Sequence, residues 1–207
     1  MRLRSMVTAA ALGLAALAGA PKAAQAMTFE RLDTAPVCDA NPCVLASGEI
    51  EKDSAAEFKA FIKTNGIAPG ATVVFDSPGG FLLQGLALGV AIREAGLYTA
   101  VGRFDRISGR LVRGGSCVSA CAYAFLGGVQ RDVAEHARLG VHQFARAADA
   151  SSELSVSDTQ ALMGLIAIYM EKMVGKTTVL TLAATTPAKS TYWLSPHELR
   201  SYRVVTY

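Results

Sequence analysis

The sequence predicts one α/β domain assembled from βαβ units with mostly parallel strands. Two observations carry this reading. Short β-branched runs suited to buried strands alternate with helix-length stretches, in the order strand, helix, strand, turn, helix, strand. Glycines stand where each of those helices must stop, at Gly66 and Gly96. No internal repeat, low-complexity linker or second domain interrupts the pattern.

Taken in order, residues 27–40 lack periodicity and read as an irregular segment, and CVLASGEI follows as a short strand. Asp53-Ser54 caps a helix whose apolar face carries Ala55, Phe58, Phe61 and Ile62. The run over 71–75, Ala-Thr-Val-Val-Phe, suits a buried parallel strand and feeds into Ser77-Pro78-Gly79-Gly80. The helix FLLQGLALGVAIREAG and a strand over 97–101 complete the alternation expected of right-handed crossovers.

Residues 102–115 break the rhythm and read as a long loop. Arg103, Arg106, Arg110 and Arg113 face only Asp105 there. Such a loop is either a substrate-binding lid or a solvated basic excursion. An apolar helix follows over 119–126, with strand-like pieces at 132–134 and 138–142. A polar stretch over 147–157 leads into a long amphipathic helix over 158–174, ended by Gly175. Ser195-Pro196-His197-Glu198 has the form of a capping box with proline at the first helical position, and 203–207 reads as a last strand.

The first 26 residues read as a leader. Arg2 and Arg4 precede an apolar stretch over 6–20, and Ala24-Gln25-Ala26 offers small residues for cleavage. A secretory signal peptide has this form, and the stretch is too short for a membrane span. The domain then occupies 27–207, without a transmembrane span, secreted across the inner membrane into the periplasm. The leader holds three of the 20 basic residues and none of the 17 acidic ones, so the exported chain is formally neutral. Neutrality gives no electrostatic footprint for nucleic acid, and that class is set aside.

Export changes how the four cysteines read, because an oxidising compartment favours disulfides. Cys38 and Cys43 flank an Asp-Ala-Asn-Pro turn that a bridge would close. Cys117 and Cys121 point poorly at each other within a regular helix, whereas an irregular helix start would let them pair. The three histidines lie at no ligand-like spacing to the cysteines, so no metal is expected. No cofactor is expected either.

Three features could serve acyl transfer, which needs a nucleophile, a base, an orienting group and N–H donors for the oxyanion. Gly79 and Gly80 open a helix directly after a buried strand. Ser119 sits between a Gly-Gly loop and a small apolar helix. His142 ends the run Arg-Leu-Gly-Val-His. Separately these are a common turn, an ordinary helix cap and a polar histidine.

Together, FDSPGG, then SCVSACAYAFLGG, then RDVAEHARLGVHQF, then TYWLSPHEL resemble the ClpP/crotonase superfamily, and within it the proteolytic subunit of Clp protease. The resemblance spans residues 48–207 and is strongest over 48–144. It implies a spiral of βαβ units, Ser119 as nucleophile and His142 as general base, with Gly79, Gly80 and Ala120 supplying the oxyanion hole. It also implies a peptide or protein substrate and assembly as a homo-oligomer. The family's third catalytic residue is an aspartate, and the matching position here is Thr191. Either Thr191 orients His142, or the site is a dyad, or another acid such as Asp149 or Asp158 reaches the imidazole. The arginine-rich segment is extra relative to the family. An exported protein has no ATP-driven unfoldase, so its substrates would be short or unfolded.

The reading is therefore an exported serine hydrolase of peptidase type. The alternative is an inactive fold of the same kind that binds peptides or proteins. Thiol chemistry at Cys117 and Cys121 is a third reading, and acyl-CoA chemistry is disfavoured by export. His136 and His197 carry no catalytic role.

Overall fold

The predicted alternation runs through β2 (Cys43–Ser47), α1 (Ser54–Thr64), β3 (Thr72–Asp76), α2 (Leu82–Glu94) and β4 (Tyr98–Val101) in the computed structural model. The structure describes residues 25–33, 38, 42–112, 114–144 and 155–206. Strand β2 pairs in parallel with β3, β3 with β4, and β4 with β8 (Arg131–Val133). At the other edge β1 (Thr28–Leu32) is antiparallel to β2, giving the order β1-β2-β3-β4-β8. Val44, Ala46, Val73, Val74 and Phe75 are fully buried, as expected of parallel strands covered on both faces. Helix α1 contributes Ala55 and Phe58 to this core, and the fully buried Phe58 is worth about 1.5–3 kcal/mol against exposure.

A second sheet holds β7 (Ser116–Val118), β9 (Arg138–Val141) and β10 (Tyr192–Trp193) in the order β10-β9-β7. A parallel bridge between Ser77 and Cys117 joins it to the first sheet. Between them lies α3 (Ala120–Leu126), buried at every residue and packed on α2. That approach needs Gly85 and Gly89 on α2, where a Cβ would collide with the Ala120 carbonyl and the Tyr169 hydroxyl. Helices α4 (Val156–Val174), α5 (Thr178–Thr185) and α6 (Pro196–Ser201) complete the described fold. Among the described residues no helix is long and apolar enough to cross a membrane.

The far end of α3 is held by two guanidinium groups rather than by carboxylates. Arg93 donates to the carbonyls of Leu126, Gly127, Gly128 and Met173. Arg131 donates to those of Gly128, Arg203 and Val204. Carbonyls at helix ends carry partial negative charge, which serves here as the counter-charge. Burial pulls the Arg131 pKa down to about 10.

Several sequence expectations need correction. Residues 102–115 are not a plain loop, because β5 (Arg103–Asp105) and β6 (Arg110–Val112) form an antiparallel hairpin there. The segment after residue 27 contains strand β1, and α5 lies where no helix is expected from local pattern. The final stretch is not a strand. Arg203 turns back at φ 58, and the N–H groups of Val204 and Val205 both donate to Leu199 O. At the start of α1, Ser54 Oγ accepts the Glu51 N–H, while Asp53 makes no capping bond. The capping box at Ser195 and Glu198 and the stop at Gly175 stand as read.

Candidate active site

Ser119 carries the turn from β7 into α3 with φ 59 and ψ −123. A side chain in that conformation costs about 1–3 kcal/mol and persists only where its surroundings impose it. Three restraints do so. The Ser119 N–H donates to Gly140 O at 3.0 Å, and Ser119 O accepts the Ala122 N–H at 3.0 Å. The third is a disulfide, since Cys117 ends up on β7 and Cys121 in the first turn of α3, with their Cα atoms 5.2 Å apart. The irregular helix start is what lets this pair form. Cys38 and Cys43 are bridged as well.

No cysteine is free among the described residues, so thiol chemistry at Cys117 and Cys121 is ruled out as the resting-state reading. The bridge clamps the elbow instead. Replacing both cysteines by alanine is expected to cost about 2 kcal/mol, the chain-entropy value for so short a loop. For a domain of this size that lowers Tm by roughly 4–8 °C. A thermal melt checks it, and an unchanged Tm would deny the clamp.

The Ser77–Gly80 turn lies directly against the elbow. Gly79 and Gly80 have φ of 100 and 136, open only to glycine. A Cβ on Gly79 would stand 2.5 Å from Val118 O and 2.9 Å from Ser119 Cβ. The Gly79 N–H is already engaged, donating to Ser77 Oγ at 3.1 Å, and Ser77 Oγ donates in turn to Gly48 O at 2.6 Å. The Gly80 N–H differs. The bridge to Ile50 uses Gly79 O and the Phe81 N–H, so Gly80 directs its own N–H to the opposite side. Ala120 is the first residue of α3, and its N–H has no partner within the helix. Of the three backbone donors read from the sequence, those of Gly80 and Ala120 have no partner among the described residues.

His142 follows the last residue of β9, two positions beyond the carbonyl that holds Ser119. Its Nδ1 lies 2.7 Å from Gln143 O. A carbonyl can only accept, so Nδ1 carries the hydrogen and Nε2 offers the lone pair. Gln143 is itself anchored to α5: its N–H donates to Thr186 O at 2.8 Å and its Nε2–H to Ala184 O at 2.7 Å.

Thr191 does not take up the orienting bond, and its hydroxyl has no hydrogen-bond partner among the described residues. The antiparallel register pairs Tyr192 with Val141 and Trp193 with Gly140, so one further step sets Thr191 opposite His142. Asp158 does not reach the imidazole either, because its carboxylate closes the capping box with Ser155. Asp149 lies outside the described residues. No hydrogen bond joins Ser119 Oγ to the His142 ring.

His142 borders a cavity of about 460 Å³ walled by Tyr123, Phe144, Met163, Leu180 and Ala183. The sequence reading missed this cavity. The i+4 step from Ser119 to Tyr123 is legible in the sequence, but the α5 wall is not.

The arginine segment is tied down at its base. Arg103 donates to Asp76 Oδ2 at 2.8 Å, and Asp76 Oδ1 accepts the Ser116 N–H at 3.0 Å. Arg106 pairs with Glu30 on β1, and Ile107 at the tip is 98 % exposed. Arg110 stands opposite Asp105 in the hairpin, and Arg113 lies outside the described residues. His136 sits beside Glu135, and His197 lies on α6. Among the described residues no three His, Cys, Asp or Glu side chains gather as metal ligands would.

No family model and no curated protein matches the chain. Its fold is similar to the solved structure of a ClpP1 mutant from Listeria monocytogenes, at 17 % identity and a TM-score of 0.54. The match covers 78 % of this chain and 86 % of that one. The chain therefore has a ClpP-like fold.

Proposed function

We propose that the protein is an exported serine hydrolase of peptidase type, acting without ATP on short or unfolded peptides. The observation that carries this reading is the strained Ser119 elbow with two open N–H donors beside it. In this mechanism Ser119 Oγ attacks the scissile carbonyl carbon and passes its proton to His142 Nε2. The N–H groups of Gly80 and Ala120 receive the developing oxyanion. The Nε2 proton goes to the departing amine, and a water molecule then hydrolyses the acyl-enzyme by the same route reversed. Gln143 O, accepting from Nδ1, fixes the tautomer in the role an aspartate has elsewhere. The two disulfides suit the oxidising compartment to which the leader would direct the chain. Exposed Leu165 and Ile168 on α4 give an apolar surface for self-association as a homo-oligomer.

The test is reaction with a fluorophosphonate probe. Wild-type protein is expected to label on Ser119, and Ser119→Ala to lose the label while keeping its Tm. Folded wild-type protein that never labels would overturn the reading. The alternative, a peptide-binding module without catalysis, is favoured by the missing Ser119–His142 hydrogen bond and by the lack, among the described residues, of a carboxylate on His142. It requires that Ser119→Ala leave both binding and phenotype unchanged.

A further inference from the structure

Within the cavity beside His142, one polar group has nothing to do. Tyr123 is 5 % exposed, yet its hydroxyl has no hydrogen-bond partner among the described residues. The other hydrogen-bond donors nearby are committed. The Gln143 amide donates to Ala184 O, His142 Nδ1 to Gln143 O, and the Tyr169 hydroxyl to Tyr123 O at 2.6 Å. Thr159, on α4, is half-buried and also lines the cavity. Among the described residues no fully buried side-chain polar atom lacks a partner, so the Tyr123 hydroxyl keeps its contact with open space, and Tyr123 lines this cavity.

We propose that the Tyr123 hydroxyl reads the substrate side chain that enters the cavity, favouring glutamine over an apolar side chain of equal length such as methionine. The inference rests on the peptidase reading and names the substrate class of that site. Three physical points define the class. Tyr123 lies one helical turn beyond Ser119, about 6 Å further along α3, so only a long side chain reaches it. Phe144, Met163, Leu180 and Ala183 make the wall mostly apolar, with no cationic or anionic side chain among the described lining other than His142 at the border, so a carboxylate or ammonium would be buried at high cost. A side chain that seals the cavity without accepting a hydrogen bond strips the phenol of water and leaves it unpaired. Burial pushes the Tyr123 pKa up to about 12, so the phenol keeps its proton and stays a donor.

The experiment compares two peptides that differ only in Gln or Met at the residue whose carbonyl Ser119 attacks. Binding is measured calorimetrically on Ser119→Ala protein, and turnover on wild-type protein. We expect Ser119→Ala to bind the Gln peptide about ten-fold more tightly, the size of one neutral hydrogen bond. Adding Tyr123→Phe should erase that preference, weakening the Gln peptide and tightening the Met peptide, because no phenol is then left unpaired. Equal binding of the two peptides, or no binding of either, overturns the assignment. So does a Tyr123→Phe variant that weakens both alike, which would make Tyr123 merely structural. Preference for Gln together with an absence of wild-type turnover would leave the Tyr123 assignment standing and sink the hydrolase reading alone.

Discussion

Thr191→Asp is expected to raise the rate of serine labelling about 100-fold. The β9–β10 register, continued by one pair, sets position 191 opposite His142. A carboxylate has two effects on such a histidine: it selects the tautomer and it stabilises the imidazolium that forms as the serine loses its proton. Gln143 O already provides the first, since Nδ1 donates to it at 2.7 Å. Among the described residues nothing provides the charge effect. Taken as about 2.7 kcal/mol, short of the full loss seen when a triad aspartate becomes asparagine, it corresponds to two decades in rate. The control is the pH profile of labelling. A carboxylate beside His142 raises the pKa of its conjugate acid, so the acidic limb should move to higher pH. A faster rate with an unmoved limb would mean that the aspartate acts by some route other than His142. An unchanged rate would mean that position 191 does not face the imidazole.

The same histidine shows why the site was only partly legible from the sequence. Ser119, His142 and the Gly79-Gly80 turn stand on elements with strong local signals, a β-branched strand into Pro-Gly-Gly and an apolar helix after Gly-Gly. The orientation of His142 depends on residues 41 or more positions away, where Gln143 meets the carbonyls of Ala184 and Thr186 at the end of α5. Helix α5, TVLTLAAT, has no side-chain cap and no acidic first turn, so nothing announces it. The arginine hairpin was hidden for a related reason. Its strands are three residues long, too short for alternation to register, and its base is fixed by Asp76 and its turn by Glu30, 27 and 76 positions away. The chain end misled in the opposite direction. Arg-Val-Val is good strand sequence, but both valine N–H groups find Leu199 O, and the segment meets β8 only through Thr206 and Arg131. Local propensity yields wherever a distant partner satisfies the backbone better.

Gly79→Ala is expected to reduce labelling by about 1000-fold or more, with a larger loss of stability than backbone strain alone would bring. The new Cβ would stand 2.5 Å from Val118 O, 2.9 Å from Ser119 Cβ and 3.1 Å from Ala120 N. Two of these are backbone atoms of the elbow, and no rotamer change relieves them. The turn and the elbow must part, which moves the Gly80 and Ala120 N–H groups away from a common point. Losing one oxyanion donor costs about 10²–10³ in rate, and misplacing the attacking atom by about 1 Å costs roughly 10² more. The control separates collision from backbone strain. Gly66 also has a left-handed backbone, at φ 59, but a Cβ there meets nothing within 4 Å. Gly66→Ala should cost about 1–2 kcal/mol, visible as a lower Tm, and leave labelling intact. If Gly79→Ala behaves like Gly66→Ala, the turn only supports the fold and the oxyanion site lies elsewhere. If labelling collapses for Gly79→Ala alone, the contact between the turn and Ser119 is what makes this serine reactive.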